Sequence, residues 1–179
     1  MSEDEIRKKW EENPMLKPRI EKVVVNISVG KSGEPLEKAS NVLKELTGQR
    51  PCKKKAKKTI RDFGIRRGEP MACVVTLRKQ KAIEFLKKVL HVIDYKLPKN
   101  CFDEYGNFAF GIKEHIEIPG VKYDPEVGIF GMDVCVSVNR PGNRVKNRQR
   151  TKAKIGPNHV LNSEEAAVFV KDILGVELV

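Results

Sequence analysis

The sequence predicts an α+β fold, an open and mostly antiparallel sheet with helices packed on one face. Three observations lead there. Segments of period two and segments of period three to four are mixed along the chain, without the strict strand–helix alternation of a parallel sheet. The strand segments alternate apolar and polar residues, the pattern of a sheet covered on one side. With 179 residues and 40% hydrophobic content, the chain suits one ordinary domain with a real core, so residues 1–179 are read as a single domain.

The opening EDEIRKKWEENPM predicts a short helix ended before Pro14, with Ile6 and Trp10 on one face. EKVVVNISVG predicts a strand with Val23, Val25, Ile27 and Val29 on one face and Lys22, Val24, Asn26 and Ser28 on the other. Pro35 opens a helix whose Leu36, Ala39, Leu43 and Leu46 recur at helical spacing, and Gly48 ends it. A strand near 51–56 comes next, then a loop through 62–70. MACVVTLR predicts a strand with Met71, Cys73, Val75 and Leu77 inward and Thr76 and Arg78 outward.

KAIEFLKKVLHVI predicts a helix buried along Ala82, Leu86, Val89 and Ile93, stopping before Pro98. The stretch 94–106 reads as a loop. NFAFGIKEH and MDVCVSVN read as two further strands, joined by a Gly-rich connection over 118–131. Asn162 or Ser163 is expected to cap a last helix, EEAAVFVKDIL, closed by Gly175.

Charge is the strongest functional signal. RPCKKKAKKTIRDFGIRRG, residues 50–68, holds nine Lys or Arg against one acid, Asp62, and RPGNRVKNRQRTKAK, residues 140–154, holds seven and no acid. The rest of the chain carries 19 basic and 23 acidic residues, so the net charge of +11 is concentrated in two places. Focused charge of this kind is the footprint of a polyanion binder, because each neutralised phosphate releases condensed counterions. Dense like charge also predicts that 62–70 is mobile without RNA. If helices cover the apolar sheet face, then Asn26, Ser28, Thr76 and Arg78 stand together on the open one, where amides, hydroxyls and arginine suit phosphates and 2′-OH groups. Phe63 is the sole aromatic in either block and the RRM stacking signature is absent, which favours structured RNA read by shape.

Other classes fit poorly. No phosphate loop, dinucleotide fingerprint, nucleophile elbow or zincin motif occurs, and Asp62 stands alone in its block, so no catalysis and no cofactor are expected. The acid pairs Glu3 with Asp4 and Glu164 with Glu165 sit near helix starts and are explained by the helix dipole. Cys52, Cys73, Cys101 and Cys135 lack ligand spacing and read as reduced thiols, Cys73 and Cys135 as small core residues; His91, His115 and His159 are scattered singly. No metal site is expected. No apolar stretch approaches the roughly 20 residues of a membrane span, and MSEDEIRKKW lacks the order of a signal peptide, so a cytoplasmic location without membrane contact is expected.

The segments KPRIEKVVVNISVG at 17–30, LTGQRPCKKKAKKTIRDFGIRRGEPMACVVTLR at 46–78, and NFAFGIKEHIEIPGVKYD with GMDVCVSV within 107–138 resemble the 5S-rRNA-binding ribosomal proteins, the family of the fifth protein of the large subunit. The resemblance implies a structural component of the large subunit that attaches 5S rRNA in the central protuberance, touches large-subunit rRNA and P-site tRNA, and bridges to a small-subunit ribosomal protein. It implies 5S contacts at Asn26, Gln49, Thr76 and Arg78. Lys22, Ser28, Arg50, Lys53 and Lys55, beside them on the polar face or in the basic block, are expected to join them. The loop 57–68, with Lys57, Lys58, Thr59, Arg61, Arg66 and Arg67, would face tRNA.

Bacterial-type members pass quickly from the last strand to the final helix, whereas this chain inserts residues 139–162, which resembles the archaeal and eukaryotic branch. The motif match does not cover that insertion. Arg140, Arg144, Lys146, Arg148, Arg150, Lys152 and Lys154 are therefore candidates for either RNA or protein contact. The alternative to a ribosomal component is a general nucleic-acid-binding or RNA-chaperone module acting through charge. In either case a monomer is expected when the protein is free.

Overall fold

The computed structural model describes residues 3–121 and 125–179. Lys122, Tyr123 and Asp124, which end the NFAFGIKEHIEIPGVKYD segment and fall in the Gly-rich connection, lie outside the described residues.

Five strands form one open, antiparallel sheet in the order β2-β3-β1-β6-β5. They are β1 (Arg19–Ser28), β2 (Cys52–Lys55), β3 (Pro70–Leu77), β5 (Phe108–Ile112) and β6 (Met132–Asn139). The central strand β1 is flanked by β3 and β6, with Val25 opposite Val75 on one side and Val134 on the other. Because side chains alternate across a strand, these cross-strand partners share a face. That face is buried through Val23, Val25, Ile27, Cys73, Val75, Leu77, Val134, Val136 and Val138.

Helices cover this face. They are α1 (Glu3–Glu12), α2 (Glu34–Thr47), α3 (Gln80–Val92) and α5 (Ser163–Leu174), with the short α4 (Arg144–Asn147) in the basic insertion. In α2, Leu36, Ala39 and Leu43 fall on one stripe against β3, and Gly48 ends the helix at φ 62°, a left-handed position that costs glycine little. Helix α3 lays Ala82, Phe85, Leu86, Val89 and Leu90 into the core against β1. Trp10 of α1 meets Phe169 of α5 edge-on, with ring centroids 6.4 Å apart. Removing side chains of this size from water stabilises the fold by about 1.5 to 3 kcal/mol each.

Three expectations need correction. The stretch 94–106 is not all loop: β4 (Lys96–Leu97) pairs in parallel with β7 (Glu177–Leu178), joining the chain's end to the segment after α3. Strands this short carry too few residues to show a period, and their partners lie some 80 positions away. Asn162 occupies the N-cap position of α5 in extended conformation, yet its side chain makes no capping hydrogen bond. Cys135 is exposed rather than part of the core, because it alternates with buried Val134 and Val136.

Candidate nucleic-acid interface

The second face of the sheet is open at its middle, with Ser28, Lys54, Thr76, Asp133 and Cys135 exposed there. Across its middle run Lys54 on β2, Val74 and Thr76 on β3, Val24, Asn26 and Ser28 on β1, and Asp133, Cys135 and Ser137 on β6. Ala109 and Gly111 of β5 continue the face with almost no side chain, so a large partner can come close to the backbone there. Asn26 donates from Nδ2 to Ser28 Oγ at 3.0 Å and to Asp133 Oδ2 at 3.4 Å. Those bonds orient the amide with its oxygen left to accept from a ligand hydroxyl.

Thr76 is exposed two residues from Arg78, which follows the strand end and lies 3.9 Å from Glu21. At that distance, with Arg78 57% exposed, the pair is a weak surface contact that a phosphate can displace. Lys22, opposite Ser137, borders the same end of the face. Gln49 and Arg50 sit on the turn between α2 and β2, Gln49 half-buried and Arg50 exposed.

Lys53 does not belong to this face. It pairs with Cys73, whose side chain is in the core, so it projects to the helix side, where its Nζ forms an ion pair with Glu37 of α2. Lys54, which sequence reasoning passed over, is the residue opposite Ala72 on the open face. Lys55 lies opposite Pro70, beyond a register shift.

The basic loop is folded onto itself. Ile60 and Ile65 exchange backbone hydrogen bonds of 2.9 and 3.1 Å, and Gly68 N–H reaches Ala56 O at 2.9 Å. Thr59 Oγ1 accepts from Arg67 N–H at 3.0 Å, so this hydroxyl shapes the loop from within. The Glu69 carboxylate accepts from Ser32 Oγ and from Arg66 N–H, and those bonds hold it below the usual carboxylate range. The sequence expectation of a mobile 62–70 thus meets a hairpin with its own hydrogen bonds. Lys57, Lys58, Arg61, Arg66 and Arg67 are exposed around it, and Phe63 stands 74% exposed at its tip.

In the second block, Arg140 departs from its neighbours. It is 6% exposed and ion-paired with Glu165 of α5, and its Nη1 donates to Asn158 O at 3.1 Å and Val160 O at 3.4 Å. Arg140 is therefore a structural tie, its guanidinium engaged by the protein's own acceptors and not offered to solvent as its neighbours are. Arg144, Lys146, Arg148, Arg150, Lys152 and Lys154 are exposed. Glu165, expected only to serve the helix dipole, is the other half of that tie.

Among the described residues, no three His, Cys, Asp or Glu side chains converge as a metal site would require, and no helix is long and apolar enough to cross a membrane. His115 is buried against Phe130, whose backbone N–H donates to Nδ1 at 3.2 Å, and burial pulls its pKa down.

Two family models account for most of the chain. Residues 13–66 match the model described as ribosomal protein L5, and residues 70–169 match the model of that ribosomal family's C-terminus. The chain belongs to the ribosomal L5 family. Similar relatives are the large ribosomal subunit proteins uL5 of Pyrobaculum aerophilum, 54% identical over 93% of both chains, and of Aeropyrum pernix, 51% identical over 98% of this chain and 92% of the relative. The corresponding protein of Sulfolobus acidocaldarius is 49% identical over 99% of this chain and 98% of its own. L5 membership, with archaeal relatives matching nearly end to end, makes this an archaeal-type protein of the large subunit, structural rather than enzymatic, which partners rRNA in the cytoplasmic ribosome.

Proposed function

We propose that the open sheet face binds 5S rRNA and attaches it in the central protuberance of the large subunit. The observation that carries this reading is the uncovered row of Asn26, Ser28, Thr76 and Lys54, a surface of amides, hydroxyls and one ammonium beside the exposed basic hairpin. Small side chains at Ala109 and Gly111 let a backbone approach, and directed acceptors and donors meet ribose hydroxyls as well as phosphates.

In the same reading, Gln49, Arg50, Lys22 and Arg78 contact 5S rRNA at the rim of the face. The hairpin bearing Lys57, Lys58, Arg61, Arg66 and Arg67 reaches P-site tRNA, and the protein contributes to a bridge to the small subunit. The whole chain acts as one RNA-binding domain and is a monomer before assembly.

Competition at moderate salt tests this. The protein should prefer 5S rRNA over an equally charged folded RNA and over duplex DNA, because shape and 2′-OH contacts add to a charge term that all three share. Equal displacement by the three competitors would leave only a general nucleic-acid module acting through charge.

A further inference from the structure

The insertion after β6 folds back on the sheet instead of trailing from it. Arg140 ties its start to the carbonyls of Asn158 and Val160 near its end, and His159 Nε2 meets Pro141 O at 2.8 Å, so the loop is closed at its base. Within the loop, Ala153 N–H bonds Val145 O at 3.3 Å and Arg148 Nε bonds Thr151 O at 2.8 Å. A cleft of about 830 Å³ separates this loop from the end of the sheet where β1 begins and β6 finishes.

One wall of the cleft carries Lys22 and Ser137 of the open face, and the other carries Lys146, Lys152 and Lys154. Tyr105, 60% exposed, contributes an aromatic ring. Glu21, the one acid among the described lining residues, is engaged by Asn139 and lies near Arg78. A smaller hollow of about 240 Å³ shares Lys22 and Ser137 and continues over Val24 and Cys135 to the middle of the open face.

We propose that this cleft grips an RNA sugar–phosphate backbone, so that the insertion closes as a clamp over the RNA lying on the open face. The proposal rests on the reading of that face as the RNA surface. Four lysines converge from two walls on a space with one engaged acid, which is the electrostatics of a phosphate groove. Tyr105, with the amides of Asn143 and Asn147 on the same lining, suits a nucleotide, since the ring can stack on a base and the amides can bond ribose or base edges.

The test is titration of the full-length protein with 5S rRNA and, separately, with large-subunit rRNA across a range of salt. Three variants are compared with wild type: K146A/K152A/K154A, Tyr105→Ala, and a charge-matched control, K81A/K87A/K88A, whose exposed lysines lie on α3 across the sheet. The cleft triple should lower the slope of log K against log salt by about 2 on at least one RNA, the counterion release of three phosphate contacts. Tyr105→Ala should weaken that binding about tenfold with the slope unchanged, as loss of one stacked base does. The control should move neither quantity.

A cleft triple indistinguishable from wild type or from the control on both RNAs overturns the clamp. In that event, weakened 5S binding by Asn26→Ala and Thr76→Ala would leave the open-face reading standing alone, and unchanged binding by those variants would remove both readings. Wild-type RNA binding by the cleft triple, together with loss of a protein cross-link in assembled subunits, assigns the cleft to an acidic protein segment and also overturns the proposal.

Discussion

Arg140 and Glu165 form an ion pair inside the protein, their side chains only 5% and 13% exposed, and through it the first residue of the second basic block is bound to α5. The guanidinium also holds the carbonyls of Asn158 and Val160, so a single side chain gathers both ends of the insertion. Its buried Nε–H has no acceptor among the described residues. A charge so enclosed is stable only while its partner is present.

Removing one partner should therefore cost more than removing both. Glu165→Ala is expected to destabilise the protein by about 3 kcal/mol, because it strands a buried cation. R140M/E165L, which replaces the pair with apolar groups of similar size, should lose less. Urea unfolding measures the difference, and limited trypsin digestion should cut between Arg144 and Lys154 faster in Glu165→Ala than in wild type.

Gly106 is a second point where the insertion side of the fold depends on one residue. It lies at φ +75°, and a Cβ there would come within 2.7 Å of Ala166 Cβ and 2.8 Å of Leu161 Cδ2. Gly106→Ala combines left-handed backbone strain with overpacking against α5, each of which costs about 1 to 3 kcal/mol. A drop of at least ~2 kcal/mol in unfolding free energy is expected, and a thermal melt unchanged within a degree would contradict it.

The limits of sequence reading follow from these residues. The β1 pattern and the helical stripes were legible because their apolar periods are unbroken, as in Val23, Val25 and Ile27. Cys135 was misplaced although its own strand held the answer, since Asp133 and Ser137 share its phase and Val134 and Val136 do not. Lys53 could not be assigned to a face from CKKK, a strand with no alternation, and only its pairing with Cys73 settles the matter. Arg140 looked like one basic residue among seven because burial is not written in composition. The cleft joins residues from positions 21 to 161: the basic run marks Lys146, Lys152 and Lys154 of one wall, but nothing local shows that Lys22 and Ser137 face them.

His115 makes stability depend on pH. Burial lowers its pKa in the folded state, whereas in the unfolded chain it protonates near the ordinary value of about 6.5. The unfolded state therefore gains the proton first, and stability that is complete above about 6.5 should fall as pH drops from there through the folded pKa. His115→Asn retains an acceptor for Phe130 N–H without the titration. Its urea midpoint should change less between pH 7.5 and pH 5 than that of wild type.

On the open face, Asn26→Ala and Thr76→Ala should each weaken 5S rRNA binding by about 1 to 2 kcal/mol, the scale of a hydrogen bond lost with its partner left unpaired. Neither side chain is in the core, so thermal unfolding should barely move. Asn26→Ala also frees Ser28 and Asp133 from their amide donor, which makes it the larger of the two effects. Filter binding that finds both variants equal to wild type would remove the sheet face as the RNA surface.

The hairpin and the sheet face should respond differently to salt. If the exposed Arg61, Arg66 and Arg67 reach tRNA rather than 5S rRNA, neutralising all three should leave isolated 5S affinity nearly intact, because their charges lie on the hairpin and not on the strand rows. Arg78 stands at the end of β3 beside Glu21, and its removal should lower the slope of log K against log salt by about 0.7 to 0.9, the release expected for one phosphate. Diffuse attraction predicts another outcome, in which each arginine changes the slope alike. Salt titrations of Arg78→Ala and of the triple hairpin variant separate the two. Equal losses per charge would make the hairpin part of one undivided RNA surface and withdraw its assignment to tRNA.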